Sequence, residues 1–124
     1  MKSWTRIFVV MLFFTLLYAL YYAYSSPYRI SAERARDLLQ KGQIDVILDV
    51  RTQVERDTFG FYPESLHIPA SDLDNFFPYN YPDKQITILV YCNTGQRARK
   101  AVEKLHSLGY KNAVYIATTY RDLM

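Results

Sequence analysis

Ile86-Thr87-Ile88-Leu89-Val90-Tyr91-Cys92-Asn93-Thr94-Gly95-Gln96-Arg97 is the stretch on which the fold turns. Its first six residues form a short apolar, β-branched run, the pattern of a strand buried on both faces. From about Gln96 to Leu108 the period changes to that of a helix, with Ala98, Ala101, Val102, Leu105 and Leu108 on one stripe. Gly109 follows where a glycine ends a helix. Between strand and helix lie four residues after a cysteine and before an arginine. Strand, tight loop and amphipathic helix in that order make one half of a parallel α/β unit.

The same alternation extends in both directions. Upstream, Ser31 is placed to cap a helix carrying Ala32, Ala35, Leu38 and Leu39, stopped by Gly42. Asp45-Val46-Ile47-Leu48-Asp49-Val50 then reads as another buried strand. Thr52 to Phe59 is expected to form a brief helix or turn, Leu66-His67-Ile68 a small strand, and Asp72 to Phe77 a helical turn. Pro78 to Asp83, with two prolines, reads as a loop. Downstream, Ala113-Val114-Tyr115-Ile116 is a third buried strand, followed by a short tail. These elements imply a mostly parallel sheet covered on both faces.

The first part of the chain differs in kind. Ile7 to Tyr24 contains no charge, glycine or proline. Its eighteen residues would span roughly 27 Å as a helix, close to the ~30 Å of a hydrocarbon core. Trp4 stands at one end and Tyr18, Tyr21, Tyr22, Tyr24 and Tyr28 at the other, as interfacial anchors do. The chain is therefore expected to divide into a membrane anchor, residues 1–26, and a domain, residues 27–124, with residues 7–24 in the membrane. This describes a single-pass membrane protein. Arg29, Arg34, Arg36 and Lys41 after the run, against Lys2 and Arg6 before it, tip the charge count slightly toward a cytoplasmic domain and leave the side of the membrane open. The alternative is a signal peptide cleaved near Ala23-Tyr24-Ser25, leaving an exported domain.

Residues 27–124 hold all twelve acidic residues and all but two of the fifteen basic ones. A domain so near neutrality, with no basic tract, gives no support to nucleic-acid binding. A single cysteine rules out a disulfide within the chain. No His/Cys/Asp cluster has metal-site spacing, and neither metal nor cofactor is expected. His67 reads as a structural histidine and His106 as a solvated one. Arg51 is expected to pair with Glu55 at helical spacing.

The chemistry centres on Cys92. It stands outside the carboxyl end of a strand and before a helix N-terminus, where open α/β sheets place ligands and where amides and dipole favour an anion. Gly95 allows the backbone to curl so that successive N–H groups turn inward. Arg97 closes the loop with a permanent charge. Such surroundings favour a thiolate, and Cys92 is expected to act as a nucleophile with Asn93, Thr94, Gly95, Gln96 and Arg97 cradling an anionic group. Arg99, Lys100 and Lys104 could add attraction for an anionic donor or serve as a solvated helix face.

Four segments together resemble the rhodanese homology family. Asp49-Val50-Arg51-Thr52 followed by Glu55 is similar to its D-V-R-x-x-x-E opening. Gly60 to Pro69 resembles its G-H-I-P-G-A-x-N-I-P segment, with Phe61 for the histidine and Glu64-Ser65 for Gly-Ala. Val90 to Ala98 resembles its active-site strand and loop, and Leu105 to Tyr115 its L-x-x-x-G-[FY]-x-x-V segment. The likeness runs from about residue 29 to 117. Thr118-Thr119-Tyr120-Arg121-Asp122-Leu123 replaces the family's Gly-Gly-x-x-x-Trp.

The resemblance implies a three-layer α/β/α domain around a five-stranded parallel sheet, and a sulfurtransferase whose Cys92 carries a persulfide. A small anionic donor of the thiosulfate type would load it; a thiol, cyanide or a partner protein would unload it. The four-residue spacing matches the family's sulfurtransferases rather than its Cdc25-type phosphatases, whose loop is one residue longer. Three alternatives stand beside this reading. One is a binding or scaffolding module of the same fold without turnover, and another a Cys-dependent phosphatase. The third is a redox-sensing thiol, though the chain has no second cysteine to resolve it.

Overall fold

The computed structural model describes residues 2–124, and for Ala23 and Tyr24 the backbone alone. The Tyr24 ring and the Ala23 and Tyr24 side chains of the cleavage site therefore lie outside the described residues. The elements are helix α1 (Ser3–Tyr24), α2 (Ala32–Gln40), β1 (Val46–Asp49), α3 (Gln53–Phe59), β2 (Leu66–His67), α4 (Leu73–Asn80), β3 (Ile88–Tyr91), α5 (Gln96–Ser107) and β4 (Ala113–Tyr115). Single 3-10 turns lie at Ala70–Asp72 and Tyr120–Leu123.

The four strands pair in parallel in the order β2-β1-β3-β4. Alternate residues of β1 and β3 serve opposite faces, as the two-residue period of a strand requires. Val46, Leu48, Ile88 and Val90 join Phe77, Val102 and Leu105 beneath α4 and α5. Ile47, Leu89 and Tyr91 join Ala35 and Leu123 beneath α2 and the C-terminal turn. β3, with every residue 0% exposed, runs through the middle. This is the three-layer architecture expected.

Among the described residues the sheet has four strands rather than five. The fifth survives as one parallel bridge, Arg29 to Tyr115, carried by Ile30 N–H to Tyr115 O (2.9 Å) and Tyr115 N–H to Tyr28 O (3.0 Å). Pro27 lies just before it, and Ser31 N-caps α2 just after it by accepting from Arg34 N–H at 3.0 Å. Too few residues remain between these stops for a full strand. Three other expectations are also corrected. α4 continues through Pro78 to Asn80, because Phe77 and Leu73 anchor its buried side. The C-terminal segment packs rather than trails, with Leu123 buried and Asp122 O accepting from Arg36 Nη1 at 2.7 Å. His106 is not solvated: its ring stacks on Tyr28 at 3.9 Å and its Nε2 lies 2.9 Å from Ala113 O.

α1 is long and apolar enough to cross a membrane, a test that N-terminal signal sequences also pass. Its side chains from Trp4 to Tyr22 face away from any core. At its last turn Arg99 of α5 lies 3.7 Å over the Tyr22 ring and donates to the Tyr22 carbonyl.

Candidate active site

β3 ends at Tyr91, and Cys92 is the next residue. The chain must then turn into α5 within a few residues. Gly95, the N-cap, does this at φ +96°, a conformation that costs a side-chain-bearing residue. A Cβ there would also lie 2.7 Å from Ala117 Cα, in the segment leaving β4. Both demands select glycine. The curl brings the Gly95 N–H onto Cys92 Sγ at 3.0 Å. One inward-facing amide is thus in place. The sulfur itself is not open to solvent, since Cys92 is 1% exposed. Thr94 and Gln96 instead lie on the loop's outer surface.

Arg97 closes the loop by gripping Glu55. Its two terminal nitrogens donate to the two carboxylate oxygens at 2.6 and 2.7 Å, a fork-to-fork pair. Asn93 joins them, donating from Nδ2 to Glu55 Oε2 at 2.8 Å. Glu55 is presented by α3, whose start is a capping box. Thr52 Oγ1 accepts from Glu55 N–H, and Glu55 Oε1 accepts from Thr52 N–H, both at 3.2 Å. The hydrogen bonds from Arg97, reinforced by those from Thr52, lower the Glu55 carboxyl from 4.5 to about 2. Its hydrogen bonds to Glu55 in turn raise the Arg97 guanidinium.

A second, deeper pair underlies the first. Arg51 donates to Asp49 from Nε at 3.0 Å and from Nη2 at 2.8 Å, with both side chains sealed from solvent. Arg51 thus pairs with Asp49 and not with Glu55: the chain leaves β1 before α3 begins, so the helical spacing does not apply. Burial by itself would raise the Asp49 carboxyl. The hydrogen bonds and charge of Arg51, with the Tyr91 hydroxyl at 3.1 Å, outweigh it and hold Asp49 below its usual range. Arg56 brings a second cation to Asp49 at 3.1 Å and fastens Ser65 as well. Arg51 O meets His67 Nε2 at 2.6 Å, the structural role expected of His67. Asn93 connects the two layers, its Oδ1 accepting from Arg51 Nη1 at 3.3 Å.

The sequence places the loop between strand and helix but does not disclose what braces it. In the sequence Glu55 reads as the end of the D-V-R-x-x-x-E segment and as a partner for Arg51, not for Arg97. The Thr52-x-x-Glu55 capping signature was the signal that could have placed its carboxylate at a helix start. Tyr120 was missed too. It stands where the family's Gly-Gly segment would lead, with its hydroxyl donating to Phe59 O at 3.1 Å and its ring 5.6 Å from the Arg51 guanidinium. It walls a cavity of about 320 Å³ lined also by Arg51, Phe59, Asn93, Thr119 and Arg121. A second cavity, about 390 Å³, lies on the other side of the loop against α1. Neither includes Cys92 among its lining residues. No group of three or more His, Cys, Asp or Glu suited to a metal ion occurs among the described residues.

Comparison with known proteins returns one family repeatedly. Residues 31–119 match the family model of the Rhodanese-like domain. A rhodanese domain-containing protein of Drosophila melanogaster, CG4456, is 33% identical over 87 residues, covering 61% of this chain and 78% of that protein. Among solved structures, the human single-domain sulfurtransferase TSTD1 aligns at a TM-score of 0.65 with 28% identity, over 78% of this chain and 95% of its own. A rhodanese-related protein from Thermoplasma volcanium aligns at 0.60 with 29% identity, over 77% and 88%.

Proposed function

The chain belongs to the family of rhodanese-like domains, and from that premise we propose that it is a sulfurtransferase working through a Cys92 persulfide. The Cys92 thiolate attacks the outer sulfur of a thiosulfate-type donor. The S–S bond of the donor breaks, sulfite leaves with the electron pair, and the enzyme retains Cys–S–S⁻. A thiophile such as cyanide or a thiolate then takes the terminal sulfur and returns Cys92 as thiolate. The observation that carries this reading is the Gly95 N–H directed at Cys92 Sγ from a four-residue loop. Donors so fixed stabilise negative charge on sulfur, as an oxyanion hole does on oxygen. In this reading Asn93 and Arg97 hold the loop in register through Glu55, while Thr94, Gly95 and Gln96 form its rim. The domain comprises residues 27–124, and residues 1–26 tether it to a membrane.

Intact-protein mass measurement after thiosulfate treatment tests the proposal. A gain of about one sulfur, roughly 32 Da, is expected. Cyanide should reverse it, and Cys92→Ser should abolish it. A second reading draws on the burial of Cys92: a binding module of this fold that has lost turnover. A folded protein that takes up no sulfur would establish that reading instead. Alkaline carbonate extraction of the full chain with N-terminal sequencing tests the tether; release into the soluble fraction, or a start near Ser25, would remove it.

A further inference from the structure

The cavity of about 390 Å³ beside the loop has walls of two kinds. Ala19 and Tyr22 of α1 supply an apolar side. Gln96, Arg99 and Lys100, from the first turns of α5, supply a polar one. The first-turn amides of a helix favour an anion. Arg99 is already engaged, held by Glu103 at 2.9 Å and by the Tyr22 carbonyl, so Glu103 cancels its charge and Lys100 leaves the wall net positive. Thr94, Gly95, Ala117 and the Glu103 carboxylate also line it, and Tyr115 completes the lining. It is 1% exposed, and its hydroxyl is the buried side-chain polar atom without a hydrogen-bond partner among the described residues. An unmatched buried donor on a residue that lines a cavity with a cationic wall points to a ligand that accepts hydrogen bonds.

We infer that this cavity binds a phosphate-type oxyanion, supplied by the headgroup of an anionic lipid. The lipid as source rests on the proposed membrane tether; the oxyanion does not. α1 brings its tyrosine-rich end to the cavity mouth, where an anchor would leave the hydrocarbon and meet headgroups. Gly95 and Gln96 belong both to this wall and to the Cys92 loop, so an occupied cavity would back the loop from outside.

Native mass spectrometry of the full chain in detergent, titrated separately with phosphatidylglycerol, phosphatidylcholine and glycerol phosphate, tests the inference. Phosphatidylglycerol is expected to bind one to one, about tenfold more tightly than phosphatidylcholine. Tyr115→Phe and Lys100→Gln should each weaken it by about that factor. Tyr115→Phe removes an unpartnered hydroxyl, so its lipid-free melting temperature should not fall, which separates loss of binding from loss of fold. Glycerol phosphate binding as tightly as the lipid would uphold the oxyanion site and overturn the lipid source. Equal retention of both lipids, each of which carries a phosphate, would overturn the preference for an anionic lipid, and binding indifferent to both substitutions would overturn the site, whatever the outcome of sulfur loading or carbonate extraction.

Discussion

The Asp49–Arg51 and Glu55–Arg97 pairs are built from the same chemistry at nearly the same distance, 2.8 and 2.6 Å at their shortest. Their surroundings differ. In the first pair the side chains are 1% and 0% exposed; in the second, Arg97 is 41% and Glu55 21% exposed. A buried pair cannot lose one member without stranding the other charge away from water, so it acts as architecture. A half-exposed pair is screened and contributes little to stability, leaving it free to serve the loop it holds. Asn93 touches both, so the loop is referenced to the core on one side and to a solvent-facing clamp on the other.

The largest effect is expected at the buried pair. Asp49→Ala leaves Arg51 and Arg56 facing each other without a carboxylate and should cost about 3–5 kcal/mol, read by urea denaturation. A loss below 1 kcal/mol would erase the distinction between the pairs. Next comes the link. Asn93→Ala removes one hydrogen bond to each pair, both to charged partners, and should cost about 1–3 kcal/mol. Its effect on the sulfur-loading rate should be non-additive with that of Glu55→Gln in a double-mutant cycle; simple additivity would show that the two layers are not coupled.

The smallest change in stability belongs to the outer clamp. Glu55→Gln keeps a capping side chain and should cost about 1 kcal/mol or less, while slowing Cys92 loading roughly tenfold by loosening Arg97. Its pH signature sharpens the contrast. Because the folded Glu55 carboxyl lies at about 2, below its ordinary 4.5, its contribution is full above about 4.5. That contribution is lost as pH falls through about 2. Denaturation of wild type and Glu55→Gln at about pH 3 and about pH 7 should therefore converge toward the acid end. The Asp49 carboxyl is also lowered, so its share has the same sign and persists in the Glu55→Gln protein. A difference that widened on acidification would contradict the assignment.

Much of this was legible in the order of residues alone. Strand and helix periods from Val46 onward, the Ser31 cap and the glycine stops at Gly42 and Gly109 are local, set by neighbours a few positions away. The apolar run of α1 and the position of Cys92 after a buried strand belong with them. Which charge meets which was not legible. Arg97 and Glu55 lie 42 positions apart, and only the parallel register of β1 against β3, Asp49 beside Tyr91, brings their loops together. The same holds for the burial of Cys92, for Tyr120 at the rim and for the unpartnered Tyr115 hydroxyl. Each depends on segments distant in the chain closing over it, and local sequence carries no record of what a side chain will face once the sheet is assembled.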